Sequence, residues 1–268
     1  MPVSATASKG NSTVRLVSDD LAELVGGTPL IQLRRSGDGQ VWVKHEGFQP
    51  GGSYFDRVAA VQLERLGSNA AGIVIEGSTS FTVSALTLAD ARGLPATVLL
   101  GPDAPQRLMG LIRRLCSDVR SYSNAEERSA LIGELEGEER VFLDRHDASA
   151  HLKALTDIAL EGMEASDRPL ASWVMVDYGV PEEDVQRTMR RVLGHPIQLT
   201  FIEDDNELER TLSGSAASRR AQVGHREGLL VGPIAAEVID RAVDAALSAG
   251  ERVCAIVPDG GQRYLGWW

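Results

Sequence analysis

Only three lysines, Lys9, Lys44 and Lys153, occur among the 27 basic residues of this 268-residue chain. Chemistry that needs a nucleophilic amine therefore has three candidates. His146, Asp147 and His151 bring two imidazoles and a carboxylate close in sequence. A spacing of five takes the histidines off a common helical face and no third ligand is evident, so no metal site is assigned. In Lys44-His45-Glu46, a strand sends His45 to the face opposite Lys44 and Glu46, which removes a His–Glu acid–base dyad. The run Ser78-Thr79-Ser80-Phe81-Thr82 sets hydroxyls before an apolar helix. Those of Ser78, Thr79 and Thr82 suit either a carboxylate-sized anion or the open N–H groups of the helix, and capping is the preferred reading.

The elements that must position these groups alternate along the chain. Val41 to Val43, Ile73 to Ile75, Ala96 to Leu100, Val119 to Tyr122, Val141 to Leu143, Trp173 to Val176, Ile197 to Ile202, Leu229 to Val231 and Val253 to Val257 are short apolar runs that predict strands. Helix-period segments lie between them: Arg57 to Leu66, Thr82 to Ala91, Gln106 to Leu115, Ala125 to Leu135, Ser149 to Met163, Glu182 to Leu193 and Ala235 to Leu247. Continuously apolar strands are buried on both faces, and strand–helix alternation implies parallel strands joined by right-handed crossovers. The fold class is α/β, with two doubly wound open sheets. Gly93 and Gly250 suit helix C-termini, and Pro181 suits a first turn, where its missing N–H costs nothing.

Composition narrows the function classes. A net charge of −11 argues against a nucleic-acid or anionic-membrane surface. The one basic cluster, Arg219 and Arg220 with Arg226 nearby, reads as a solvated loop. No apolar run approaches the ~20 residues that span a bilayer. Met1 to Thr13 is a polar stretch expected to form a disordered tail. Cys116 and Cys254 lie in apolar stretches, as buried free thiols of a reducing cytoplasm would.

Three segments, in order, resemble the cysteine synthase and cystathionine β-synthase family of fold-type II pyridoxal phosphate (PLP) enzymes. They are Gly26-Gly27-Thr28-Pro29-Leu30, the stretch from Lys44 through Pro50-Gly51-Gly52-Ser53 to Asp56-Arg57, and Pro258-Asp259-Gly260-Gly261-Gln262-Arg263-Tyr264-Leu265. The resemblance spans essentially the whole chain and implies a tryptophan synthase β-subunit-like architecture. It places an N-terminal domain at 35–140 and a C-terminal domain at 14–34 plus 141–268. The family's Asp and Arg at Asp56 and Arg57 are structural.

The resemblance also assigns the cofactor contacts, and this chain departs from each. The family's Schiff-base lysine falls at Phe55, whose phenyl ring forms no imine. Lys44 matches a separate family lysine, and neither Lys9 nor Lys153 is placed to substitute. The family's ring-contacting asparagine falls at Phe81. Its glycine-rich phosphate cup falls at Asp177-Tyr178-Gly179-Val180-Pro181-Glu182-Glu183-Asp184, where one glycine survives. Three acidic residues there open a helix, complementing its dipole themselves and repelling a phosphate dianion. The hydroxyls that meet the pyridine nitrogen fall at Pro233-Ile234, near Gly232 and Ala235, and the active-site glutamine falls at Arg145. No cofactor is expected, and Phe55 and Phe81 are expected to plug the pocket.

Two functions follow as expectations. One is a non-catalytic protein acting as partner or regulator of an active enzyme of amino-acid or specialised metabolism, in a homodimer or in a heterodimer with a PLP-bearing paralogue. The other is an enzyme with new, cofactor-free chemistry, for which Tyr54, Arg145, Asp177, Tyr178 and His225 supply the residual polar groups. Trp267 and Trp268 are expected to pack on the chain's own domain or at a subunit contact.

Overall fold

The computed structural model describes residues 20–106, 108–203 and 215–264, with the side chains of 215–220 and 263 excepted. Met1 to Thr13, Lys9, Leu265, Trp267 and Trp268 lie outside the described residues.

Among the described residues, nine strands form two sheets. The four-stranded sheet has the order β5-β4-β3-β6 and contains β3 (Gly72–Glu76), β4 (Ala96–Leu100), β5 (Asp118–Ser121) and β6 (Arg140–Leu143), all parallel. The five-stranded sheet has the order β1-β2-β9-β7-β8. It contains β1 (Leu30–Leu33), β2 (Val41–His45), β7 (Ser172–Asp177), β8 (Gln198–Glu203) and β9 (Val253–Val257). β2, β9, β7 and β8 run parallel, and β1 pairs antiparallel with β2 at the edge. Every residue of β9 is buried, as a central strand covered on both faces requires.

The helices are α1 (Phe55–Glu64), α2 (Ser80–Ala91), α3 (Met109–Leu115), α4 (Ala125–Gly137), α5 (Ala148–Ala165), α6 (Glu182–Leu193), α7 (Ser215–Glu227) and α8 (Pro233–Ala249). The apolar periodicity predicts all of these except α7. There Arg219, Arg220 and Arg226 belong to a helix rather than a loop. Val223 is its one large apolar residue, so the apolar runs on which the periodicity rests are missing. Leu229 to Val231 forms no strand: only Val231 pairs, in an isolated bridge to Gly260.

The sheets divide the chain differently from the boundaries expected at residues 35 and 141. Val41–His45 belongs to the five-stranded sheet and Arg140–Leu143 to the four-stranded one. An apolar strand carries no mark of which neighbour will meet its edge. One continuous core reaches from Ile73 and Ile75 of one sheet to Trp173 and Met175 of the other.

A buried ionic network fixes α1 between the sheets. The Arg57 guanidinium donates to Glu46 Oε2 at 2.6 Å and to both carboxylate oxygens of Glu161 at 2.7 and 2.8 Å. The Lys44 ammonium donates to Glu161 Oε2 at 2.5 Å, to the Thr28 carbonyl at 2.5 Å and to the Thr28 hydroxyl. Glu46 also accepts from Thr28 Oγ1 at 2.6 Å and from Gln49 Nε2 at 2.7 Å. Two cations thus face two carboxylates, and the partners come from the segment before β1, from β2, from α1 and from α5. Burial alone would raise the Glu161 carboxyl, but the bonds and charge of Arg57, together with Lys44, outweigh it and hold the group at about 2.

The glycine turn before α1 is equally tied. Gly52 sits at φ +82°, a region that side chains disfavour. A Cβ on Gly51 would lie 2.8 Å from Asp56 Oδ1, because that carboxylate accepts the Gly51 N–H. Asp56 Oδ1 also accepts from Ser84 Oγ at 2.5 Å, linking α1 to α2. The C-terminal segment closes on the same turn: Ser53 bridges Asp259, and Tyr54 N donates to the Pro258 carbonyl at 2.7 Å.

Arg57→Ala should destabilise the fold by ~3–5 kcal/mol in urea unfolding, because it strands the buried Glu46 carboxylate and takes two bonds from the half-buried Glu161. Glu161 has a depressed folded value, so its contribution is complete above the ordinary carboxyl value of 4.5 and is lost as pH falls toward about 2. Stability should therefore decline below about pH 4.5. Glu161→Gln should flatten that acid limb and lower stability at neutral pH.

Candidate functional site

The carboxyl ends of parallel strands from both sheets converge on one crevice, where open α/β sheets place their ligands. Ser78 follows β3, Arg145 follows β6, Tyr178 follows β7, and Pro258 and Asp259 follow β9. With Ser53, Phe55, Thr79, Ser80, Pro105, Val176, Ile234 and Tyr264 they line a cavity of about 50 Å³.

Phe55 is the first residue of α1 and is 7% exposed. Its ring meets Phe81 edge-on at 5.8 Å, Tyr178 at 5.1 Å and His151 at 6.0 Å, with the Arg145 guanidinium 6.0 Å from its centroid. Behind it stand three stacked rings. Tyr178 lies parallel to Tyr54 at 4.7 Å and 6°, and His151 stacks on Tyr178 at 5.2 Å and 21°. Aromatic pairs in these geometries contribute ~0.5–1.5 kcal/mol each beyond the area they bury.

The Tyr54 hydroxyl and both His151 ring nitrogens are committed within this cluster. His151 Nε2 lies 2.8 Å from the Arg145 carbonyl, which only accepts, so Nε2 carries the proton. The other ring nitrogen, Nδ1, is then an acceptor, and Tyr54 Oη donates to it at 3.0 Å. Burial lowers the His151 imidazole below its ordinary value, and the bond to Arg145 opposes this only in part. Burial pushes the Tyr54 phenol upward, so it keeps its proton.

The hydroxyls before α2 act as caps. Thr79 Oγ1 accepts the Thr82 N–H, and the Thr82 hydroxyl faces back to the Thr79 N–H in a reciprocal box. Thr82 Oγ1 donates to the Gly77 carbonyl at 2.7 Å, and Ser78 Oγ donates to the Pro105 carbonyl. Capping is thus satisfied by Thr79 and Thr82, while Ser78 ties the loop to Pro105.

The other residues singled out in the sequence fall as follows. Phe81 is fully buried behind Phe55. Gly179, at φ +80°, donates its N–H to Asp177 Oδ1 at 2.8 Å, so the carboxylate occupies the turn. Glu182, Glu183 and Asp184 occupy the first turn of α6. Pro233 and Ile234 are buried at the start of α8, and Ile234 reaches the cavity. Tyr54 is sealed in the core, Asp177 is exposed, and His225 is exposed on α7, so none of the three lines the cavity. Arg145 and Tyr178 do. His151, weighed from sequence only as a metal ligand, is instead a fully buried member of the stack. No local signal marks that role, because Tyr54 lies 97 residues before His151 and the three rings come from separate elements.

Pyridoxal phosphate does not fit these residues. Phe55 offers no amine. Lys44 spends its three donors on Thr28 and Glu161, and Lys153 pairs with Asp157 at the surface. The cavity is far smaller than the ~300 Å³ at the lower end of ligand pockets. The helix end that would receive a phosphate carries three acidic side chains.

Residues 21–180 match the family model for pyridoxal-phosphate dependent enzymes. A threonine synthase of Methanosarcina acetivorans is 30% identical over 171 residues, covering 60% of this chain and 39% of that protein. The chain thus matches about two fifths of the length of that curated relative. Among solved structures, an O-ureido-L-serine synthase superposes with a TM-score of 0.75 at 20% identity, covering 93% of this chain and 94% of the other. A hydrogen sulfide-producing enzyme from Fusobacterium nucleatum gives 0.72 at 16% identity, covering 92% and 98%. An O-acetylserine dependent cystathionine β-synthase from Helicobacter pylori gives 0.68 at 15%, covering 94% and 98%. With its sheets, its three conserved-order segments and a family match over more than half its length, the chain belongs to the pyridoxal-phosphate dependent enzyme family.

Proposed function

We propose that this chain is a non-catalytic member of its family, acting as a homodimer or as a heterodimeric partner or regulator of a PLP-bearing enzyme in amino-acid or specialised metabolism. The observation that carries the reading is Phe55. It stands where the family's imine-forming lysine belongs, at the head of α1, and packs against Phe81, Tyr178 and His151. A lone lost lysine leaves a vacant pocket, whereas here aromatic rings occupy the space. The alternative of cofactor-free chemistry has less support. Of its candidate groups, Tyr54 and His225 do not line the cavity, and the Tyr54 hydroxyl is bound to His151.

The test is a visible spectrum after incubation with pyridoxal phosphate and dialysis. The expected outcome is no retained imine band, and none in Phe55→Lys either, because Phe81, Tyr178, Ile234 and the acidic α6 turn remain in place. A band in the wild-type protein that survives dialysis and disappears with borohydride would overturn the reading. Phe55→Ala should destabilise the protein by ~3–5 kcal/mol in chemical unfolding, as loss of a buried ring does. For the partner role, co-purification with an active family member from the same cell should shift that enzyme's kcat or KM. Absence of both a complex and a kinetic change would sink it.

A further inference from the structure

We propose that the stacked rings of Tyr54, His151 and Tyr178 form an acid-sensitive latch, in which proton uptake by His151 releases the stack and opens the crevice between the two sheets. This goes beyond the non-catalytic reading and stands on the geometry of the stack alone.

The latch has one proton arrangement. Nε2–H of His151 is committed to the Arg145 carbonyl, and Nδ1 must accept from Tyr54 Oη. Tyr54 and His151 are both 0% exposed, so neither can exchange its partner for bulk water. A second proton on His151 turns Nδ1 into a donor aimed at the Tyr54 oxygen. The phenol can rotate to accept it, but its own proton then loses the nitrogen it was bound to, inside the core. The new charge is also poorly compensated. The charged and titratable groups facing His151 are Arg145 and His146 from the loop after β6, Asp147 at the start of α5, Tyr54 from α1 and Tyr178 after β7. The Asp147 carboxylate is already engaged by the Ala150 N–H, Ser149 and Arg65. Arg145 carries a like charge.

The stack is where opening would show. Phe55 and Tyr54 begin α1, His151 is in the first turn of α5, and Tyr178 links β7 to α6. Release of the histidine therefore loosens one contact from each of three elements that close the crevice.

The sign follows from linkage. The closed form holds His151 neutral and its value depressed, while the open form returns it toward the ordinary 6.5. Closure is thus complete above that value and weakens as pH falls below it. This window lies above the carboxyl range in which Glu161 acts, so the two acid responses separate.

Hydrogen–deuterium exchange followed from about pH 7.5 to about pH 5, corrected for intrinsic rates, reads the latch directly. Segments 51–58, 145–152 and 176–181 should open by about tenfold per pH unit once only the open form is protonated, while β3, β4 and β9 stay protected. His151→Gln should abolish that dependence. Unchanged protection in these segments overturns the proposal, as does an acid response that persists in His151→Gln, which would assign it to another group such as the buried His45. Should His151→Gln fail to fold, ring nitrogen NMR of the wild-type protein decides. The proposal expects the Nε2–H tautomer at neutral pH and a His151 titration coincident with opening, and a titration at a different pH from opening overturns it.

Discussion

The Arg57 guanidinium is the point on which the rest of the structure depends. It is buried on α1 and bonded to Glu46 beside β2 and to Glu161 on α5, with Lys44 and Thr28 completing the cluster. A buried charge is tolerable only when paired and hydrogen-bonded, so each member requires the others in place. That requirement sets the position of α1, and with it the place of Phe55 at the mouth of the crevice. Such a network is expensive to disturb piecemeal, which gives a physical reason for Thr28, Lys44, Glu46 and Arg57 to be present where no imine chemistry is available.

The glycine turn extends the same argument. Gly51 and Gly52 belong to a stretch that resembles a cofactor-binding motif, yet their backbone conformation and contacts here serve the protein itself. Gly52 takes a positive φ, and Gly51 leaves room for the Asp56 carboxylate. Asp259 and Tyr264 of the C-terminal segment are bonded to one another, and Pro258 receives the Tyr54 N–H. The segments that carry the family resemblance thus meet around α1 and explain one another as scaffold.

Against this retained frame, the crevice has been refilled. Phe55 and Phe81 bring apolar rings, and Tyr178, Tyr54 and His151 add a stack with its own closed hydrogen-bond chain. The contrast with the ionic network is physical. The network joins full charges in fixed pairs, with the Glu161 carboxyl held well below its ordinary value by Arg57 and Lys44. The stack joins neutral rings through one imidazole whose protonation burial disfavours. One ties α1 to its neighbours through charge, the other through stacked rings.

Much of this was legible along the chain. The apolar runs located eight of the nine described strands, missing only the short edge strand Leu30–Leu33, and added Leu229 to Val231, which forms no strand. The helix periodicity located every described helix except α7, whose one large apolar residue is Val223. Phe55, Phe81, the acidic first turn of α6 and Pro233-Ile234 stand out in the sequence because they interrupt motifs of fixed spacing. Side-chain type and local spacing therefore determined the fold class and the family. Tertiary structure alone decided which sheet β2 joins, that Tyr54 is sealed away while Arg145 and Tyr178 face the cavity, that His225 stands apart, and that His151 stacks on Tyr178. Those outcomes depend on contacts between distant elements, whose partners are chosen by shape, charge and the satisfaction of buried polar groups, and no local pattern encodes that choice.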